Sequence, residues 1–176
     1  MTAALASFVI AVAAGSTARA DGWREPEHAE APPFEVRALE GPTLRSAELA
    51  GKVVFVDFWA TWCAPCVQEL PDLAEYHGRV SGRDDVAFVS LNVTDDTVTL
   101  RGFVGEHRLA YPVYRGDDLL GPFQVSAFPT KMVLDLRGSR PLVRLRREGL
   151  TSLQSIEAAV DEVLATPPAG PARAAP

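Results

Sequence analysis

The sequence predicts an α/β fold with a mixed sheet and helices on both faces. Three observations predict it. Val53–Trp59 is a continuous apolar run broken only by Asp57, as a strand covered on both faces requires. Val86–Val93 is a second run of the same kind. Helical patterns alternate with these runs and close on an amphipathic segment at Ser152–Leu164.

The elements follow in order. Phe34–Leu39 alternates and reads as a first strand, and Val53–Trp59 as a central one. Cys63 then opens a helix, with Pro65 in its first turn, where a missing N–H is harmless. Leu70, Leu73, Ala74 and Tyr76 follow at helical spacing, and Pro71 is expected to kink the helix. After the strand at Val86–Val93, Asp95 or Asp96 caps a helix that runs to about Arg108, with Val98, Phe103 and Val104 on one face. Tyr111–Tyr114 is a short extended piece and Leu119–Val125 a short helix or turn. Lys131–Leu136 and Leu142–Arg146 form a hairpin around Arg137-Gly138-Ser139. The last helix buries Leu153, Ile156, Ala159, Val160 and Leu164.

The ends read differently. Thr2–Ala18 is uncharged, with an apolar core at Ala3–Ala14, and Ala18-Arg19-Ala20 presents small residues for signal peptidase. Residues 1–20 are therefore expected to be a signal peptide, cut after Ala20 or retained as an anchor. Residues 21–33, acidic and proline-containing, read as a linker. Residues 166–176 read as a disordered tail. The domain is then residues 34–165. The chain has 176 residues, 47% of them apolar, which suits one domain with a real core. A net charge of −6 without a basic stripe argues against nucleic-acid binding.

Two cysteines cannot staple a fold, and these stand three apart, at Cys63 and Cys66. A disulfide closing so small a loop removes little chain entropy, so the pair reads as chemistry. Cys63 at a helix start is activated as a thiolate by unpaired N–H groups and the macrodipole. Cys66, on the same face, can resolve a mixed disulfide on Cys63. A metal site is not expected: no second such pair exists, and His28, His77 and His107 are scattered. Arg144, Arg146 and Arg147 read as protection of an edge strand, and the pairs Asp95-Asp96 and Asp117-Asp118 as loop or cap residues.

The segment Val56-Asp57-Phe58-Trp59-Ala60-Thr61-Trp62-Cys63-Ala64-Pro65-Cys66 resembles the active-site segment of the thioredoxin superfamily. Pro71 matches its helix kink, Phe128-Pro129-Thr130 its cis-proline loop, and Gly149 its glycine before the last helix. The stretch from Cys66 to Pro129 is longer than in plain thioredoxin. The surplus, an extra helix and short strand at Asp95–Arg115, lies between the active-site helix and the cis-proline loop. With the export signal and the Gly51-Lys52 lead-in, it makes the chain similar to the TlpA/ResA type. Those are exported thiol–disulfide oxidoreductases, many of them reductants in cytochrome c or copper-centre maturation.

The resemblance implies roles. Cys63 is the attacking cysteine and the more exposed of the two. Cys66 is the resolving one, and buried Asp57 accepts its proton. Trp62 covers the disulfide, while Trp59 packs in the core. A cis Pro129 holds the backbone of Phe128 open to an extended substrate segment, with Ala64 and Pro65 at the same surface. Two positions depart from the type: many relatives carry Asn where Asp57 stands, and some carry Glu in place of Ala64. The resemblance also implies no cofactor, protein disulfide or dithiol substrates, a membrane electron donor of dithiol type and a periplasmic location. A monomer is expected because nothing in the sequence indicates an apolar oligomer surface. The alternatives are a disulfide-introducing oxidase or isomerase, and a copper-delivery protein. The latter usually has its cysteines one residue further apart, with a distant His.

Overall fold

The computed structural model describes residues 22–26 and 30–170. The signal-peptide expectation therefore lies outside the described residues. A two-residue strand β1 (Glu35–Val36) pairs antiparallel with β2 (Leu44–Arg45), and a 3-10 helix follows at Ser46–Leu49. The main sheet then begins with β3 (Val53–Trp59), followed by helix α1 (Ala64–Val80), β4 (Val86–Asn92), α2 (Thr97–His107) and β5 (Val113–Arg115). A second 3-10 helix, Asp117–Leu119, leads to β6 (Thr130–Asp135), β7 (Leu142–Glu148) and α3 (Leu153–Ala165).

The sheet order is β5-β4-β3-β6-β7. β4 runs parallel to β3, and β5 to β4; β6 and β7 are antiparallel to their neighbours. β3 lies at the centre, which is why it tolerates an apolar residue on both faces. Its alternation splits the core in two. Val53, Phe55 and Trp59 face one layer, with Leu73 and Tyr76 of α1 and Ile156 and Val160 of α3. Val54, Val56 and Phe58 face the other, with Leu49, Leu119, Phe123 and Val36. Helices lie on both faces, but those on the second face are the single-turn 3-10 pieces.

Several expectations shift in detail. The first strand shrinks to β1, because Ala38 pairs instead as an isolated bridge with Tyr114. In α2 the buried residue is Leu100, not Val98, which is 81% exposed. Phe103 and Val104 pack partly against the core as expected. α1 continues through Pro71 to Val80.

The described parts of the segment read as a linker, residues 22–26 and 30–33, are instead part of the domain. Trp23 is buried, and its Nε1 donates to Ser155 Oγ at 3.0 Å. Arg24 bridges Arg146, and Glu30 bridges Leu142, along the outer edge of β7. One buried indole and a covered strand edge outweigh the polar composition around them. Arg144, Arg146 and Arg147 therefore do not guard an open edge. Arg146 donates to the carbonyls of Phe123 and Gln124, Arg144 to Asp135 and Pro167 O, and Arg147 to Leu150 O. Residues 166 and 167 are held likewise, with Arg137 donating to Thr166 O at 2.8 Å. Residues 171–176 lie outside the described residues. No helix among the described residues is long and apolar enough to cross a membrane.

Candidate active site

β3 ends at Trp59 and the chain turns at Ala60–Trp62 into α1, where Cys63 is the N-cap and Pro65 occupies the first turn. A cap residue has extended backbone and offers its side chain to the orphan N–H groups behind it. Here the Cys63 sulfur accepts from Cys66 N at 3.3 Å. Cys63 and Cys66 are joined as a disulfide with an S–S distance of 2.08 Å. Both cysteines are buried, Cys63 at 5% exposure being slightly the more accessible and Cys66 at 1% the less.

Trp62 borders the disulfide and is 64% exposed, rare for so large an apolar ring. It stands edge-on to Phe128, with centroids 5.9 Å apart. The Phe128–Pro129 peptide is cis. Pro129 O accepts from Gly149 N at 2.9 Å, and Thr130 Oγ1 donates to Ala127 O at 2.8 Å, so both sides of this loop are tied. Gly149 has φ +84°, which a side chain would strain. Trp59 is buried in the core, its Nε1 donating to Ser90 Oγ at 2.8 Å.

Asp57 is 1% exposed and shares the β3 face that carries Phe55, Trp59 and the cysteines. Among the described residues its Oδ1 has no hydrogen-bond partner. Desolvation raises its pKa to about 7, against the lowering effect of Lys131 and with a smaller push from Glu69. Lys131 is its directly opposed neighbour in the β3–β6 pairing. Lys131 is fully buried; it forms an ion pair with Glu69 of α1 and donates to Gly149 O at 3.0 Å. Glu69 also accepts from Thr151 N, and burial pushes its carboxyl up despite the lysine. Tyr111 has a buried hydroxyl that finds no partner among the described residues; burial, then the charge of Asp57, raises its pKa.

The structure thus brings Cys63, Cys66, Trp62, Ala64, Pro65, Phe128 and Pro129 to one end of the sheet, with Asp57 buried on the cysteines' face of it. Sequence reasoning missed Lys131 and Glu69. The signal was there: Lys131 interrupts an apolar strand as Asp57 does, and Glu69 lies three residues after Cys66, on its helical face.

Residues 28–126 match the model of the AhpC/TSA family. The chain belongs to the AhpC/TSA family. Its curated relatives include the thiol-disulfide oxidoreductase ResA of Bacillus thuringiensis strain Al Hakam. That protein is 33% identical over 111 residues, covering 62% of this chain and 64% of the relative. The ResA of Geobacillus thermodenitrificans strain NG80-2 is 32% identical over 130 residues, 73% of this chain and 67% of that one. The chain therefore spans about two-thirds of the length of these relatives. Among solved structures, a thiol:disulfide interchange protein from Chlorobium tepidum TLS matches with TM-score 0.69 and 26% identity. It covers 80% of this chain and 99% of its own. The pneumococcal exposed lipoprotein thioredoxin Etrx1 from Streptococcus pneumoniae strain TIGR4 matches with TM-score 0.65 and 26% identity, over 74% and 99%. The AhpC/TSA family chain described here thus has the thioredoxin fold.

Proposed function

We propose that the protein is a thiol–disulfide oxidoreductase that reduces disulfides in protein substrates through Cys63 and Cys66. The observation that carries this reading is the Cys63–Cys66 disulfide at the N-terminus of α1, beside the Phe128–Pro129 loop. The names of the ResA relatives support it.

In the reduced protein, the Cys63 thiolate attacks one sulfur of the substrate disulfide and the other leaves as a thiolate. The Cys66 thiol passes its proton to the Asp57 carboxylate and attacks the Cys63 sulfur. The second substrate sulfur leaves, and the Cys63–Cys66 disulfide remains. Two electrons have moved to the substrate. An acid with a pKa about 7 is matched to a proton acceptor near neutral pH. Pro129 and Phe128 present the backbone edge on which an extended substrate segment pairs, with Trp62, Ala64 and Pro65 around it.

The direction rests on the resemblance to the TlpA/ResA type, many members of which are reductants. The reading extends to an exported, monomeric protein recharged by a membrane dithiol donor and serving cytochrome c or copper-centre maturation. Export, the donor and the maturation role rest on the resemblance to the TlpA/ResA type; the monomer rests on a sequence that indicates no apolar oligomer surface.

The test is trapping. Cys63→Ser abolishes reduction of insulin by the dithiothreitol-charged protein, whereas Cys66→Ser accumulates a mixed disulfide through Cys63. Full activity in Cys63→Ser contradicts the mechanism.

A further inference from the structure

The loop between β4 and α2 holds an unexplained backbone outlier. Thr94 has φ +66°, in the left-handed region that a β-branched residue strongly avoids. Such strain persists only where its surroundings impose it. Here they do: Thr94 N donates to Asp117 Oδ1 at 2.6 Å, and Asp117 is in turn paired with Arg115 at 2.8 Å. The conformation leaves the Thr94 hydroxyl accepting from Trp62 Nε1 at 3.0 Å. The next residue is as specific. Asp95 is buried and does not cap α2; Asp96 does that, accepting from Val98 N and Thr99 N. Asp95 instead grips the active-site turn. Its Oδ2 accepts from Thr61 N at 2.8 Å and from Asn92 Nδ2 at 2.7 Å, and its Oδ1 from Thr61 Oγ1 at 2.7 Å.

We propose that Thr94 and Asp95 are positioning residues of the redox site, Asp95 fixing the turn that delivers Cys63 and Thr94 fixing Trp62 for contact with the partner protein. An exposed indole with free rotamers would lose entropy each time a partner ordered it. Tethered at one end by Thr94 and flanked by Phe128, it meets the partner already ordered. The insertion that sets this chain apart from plain thioredoxin thereby reaches the chemistry: its strand supplies Arg115, the residues after that strand supply Asp117, and both act on the active-site turn through Thr94.

This inference rests on Cys63 and Trp62 meeting the substrate, and its test has a readout independent of turnover. In Thr94→Val the hydroxyl is lost and the branched shape kept; Thr94→Ser keeps the hydroxyl. By NMR, deuterium exchange of the Trp62 indole proton is expected to speed up about threefold to tenfold in Thr94→Val and to stay near wild type in Thr94→Ser. KM for insulin rises by a similar factor in Thr94→Val, the loss appearing in KM rather than kcat. Asp95→Ala loosens the turn and lowers kcat. If it fails to fold, Thr61→Val deletes one arm of the same clamp and lowers kcat by less. Unchanged exchange in Thr94→Val overturns the tether, and faster exchange with an unchanged KM overturns its role toward the partner. Unchanged kcat in the folded clamp variant overturns the role of Asp95. If the wild-type protein does not reduce insulin, the functional reading falls, while the exchange rates still decide the tether.

Discussion

A carboxyl group inside an apolar strand is a poor anion, and Asp57 brings that property to the redox site. Its pKa is raised from 3.8 to about 7, chiefly by desolvation. The consequence for stability has a definite sign. Between those values the folded protein binds a proton that the unfolded chain releases, so stability falls as pH rises from about 4 to about 7 and is level above. The full loss is on the order of 4 kcal/mol. Asp57→Asn removes it: in urea unfolding, the variant's advantage over wild type grows across that window and is constant beyond it. A constant advantage from pH 4 to 8 contradicts the buried-acid account. The same substitution slows resolution of the mixed disulfide at pH 7 by about a hundredfold. Stopped-flow decay of a trapped species measures this, and a rate equal to wild type makes Asp57 structural only.

At the scale of elements, the ion pair between Lys131 on β6 and Glu69 on α1 joins the sheet to the active-site helix, and Glu69 extends the link to Thr151 before α3. Lys131→Met leaves a buried carboxylate without its cation and is expected to destabilise the fold by about 3–5 kcal/mol. The double substitution Lys131→Met with Glu69→Leu recovers most of that loss, and urea midpoints of the two variants test it. Neither residue was identified as a site residue from sequence: each leaves a local mark, a lysine in an apolar strand and a glutamate on the face of Cys66, but nothing local shows that partners 62 positions apart pair. β3 was legible to the residue, because a run buried on both faces has no polar phase to blur its ends. α2 was legible as an element, and its facing follows helical spacing once Leu100 is grouped with Phe103 and Val104 at i, i+3 and i+4; Val98, five residues before Phe103, lies off that face and is exposed. The redox pair and its loop were legible because they are short motifs. Thr94 and Asp95 were not, since a loop's hydrogen bonds depend on where the chain returns.

At the scale of the molecule, residues 22–26 and 30–33 belong to the domain, with Trp23 in the core and two bridges along β7. Their acidic, proline-bearing composition hides a single decisive ring. A chain beginning at residue 34 is expected to lose about 3–5 kcal/mol of stability relative to one beginning at residue 21, the scale of a buried tryptophan. Equal thermal midpoints would return the segment to the status of a linker. The working direction of the molecule is fixed by how far its folded frame favours the disulfide over the dithiol. The most direct test is the equilibrium reduction potential of Cys63–Cys66 in residues 21–176, measured against glutathione or dithiothreitol. A reductase is expected to show a value near that of thioredoxin, about −270 mV; a value near −120 mV would make the disulfide the working reagent and contradict the reductase reading.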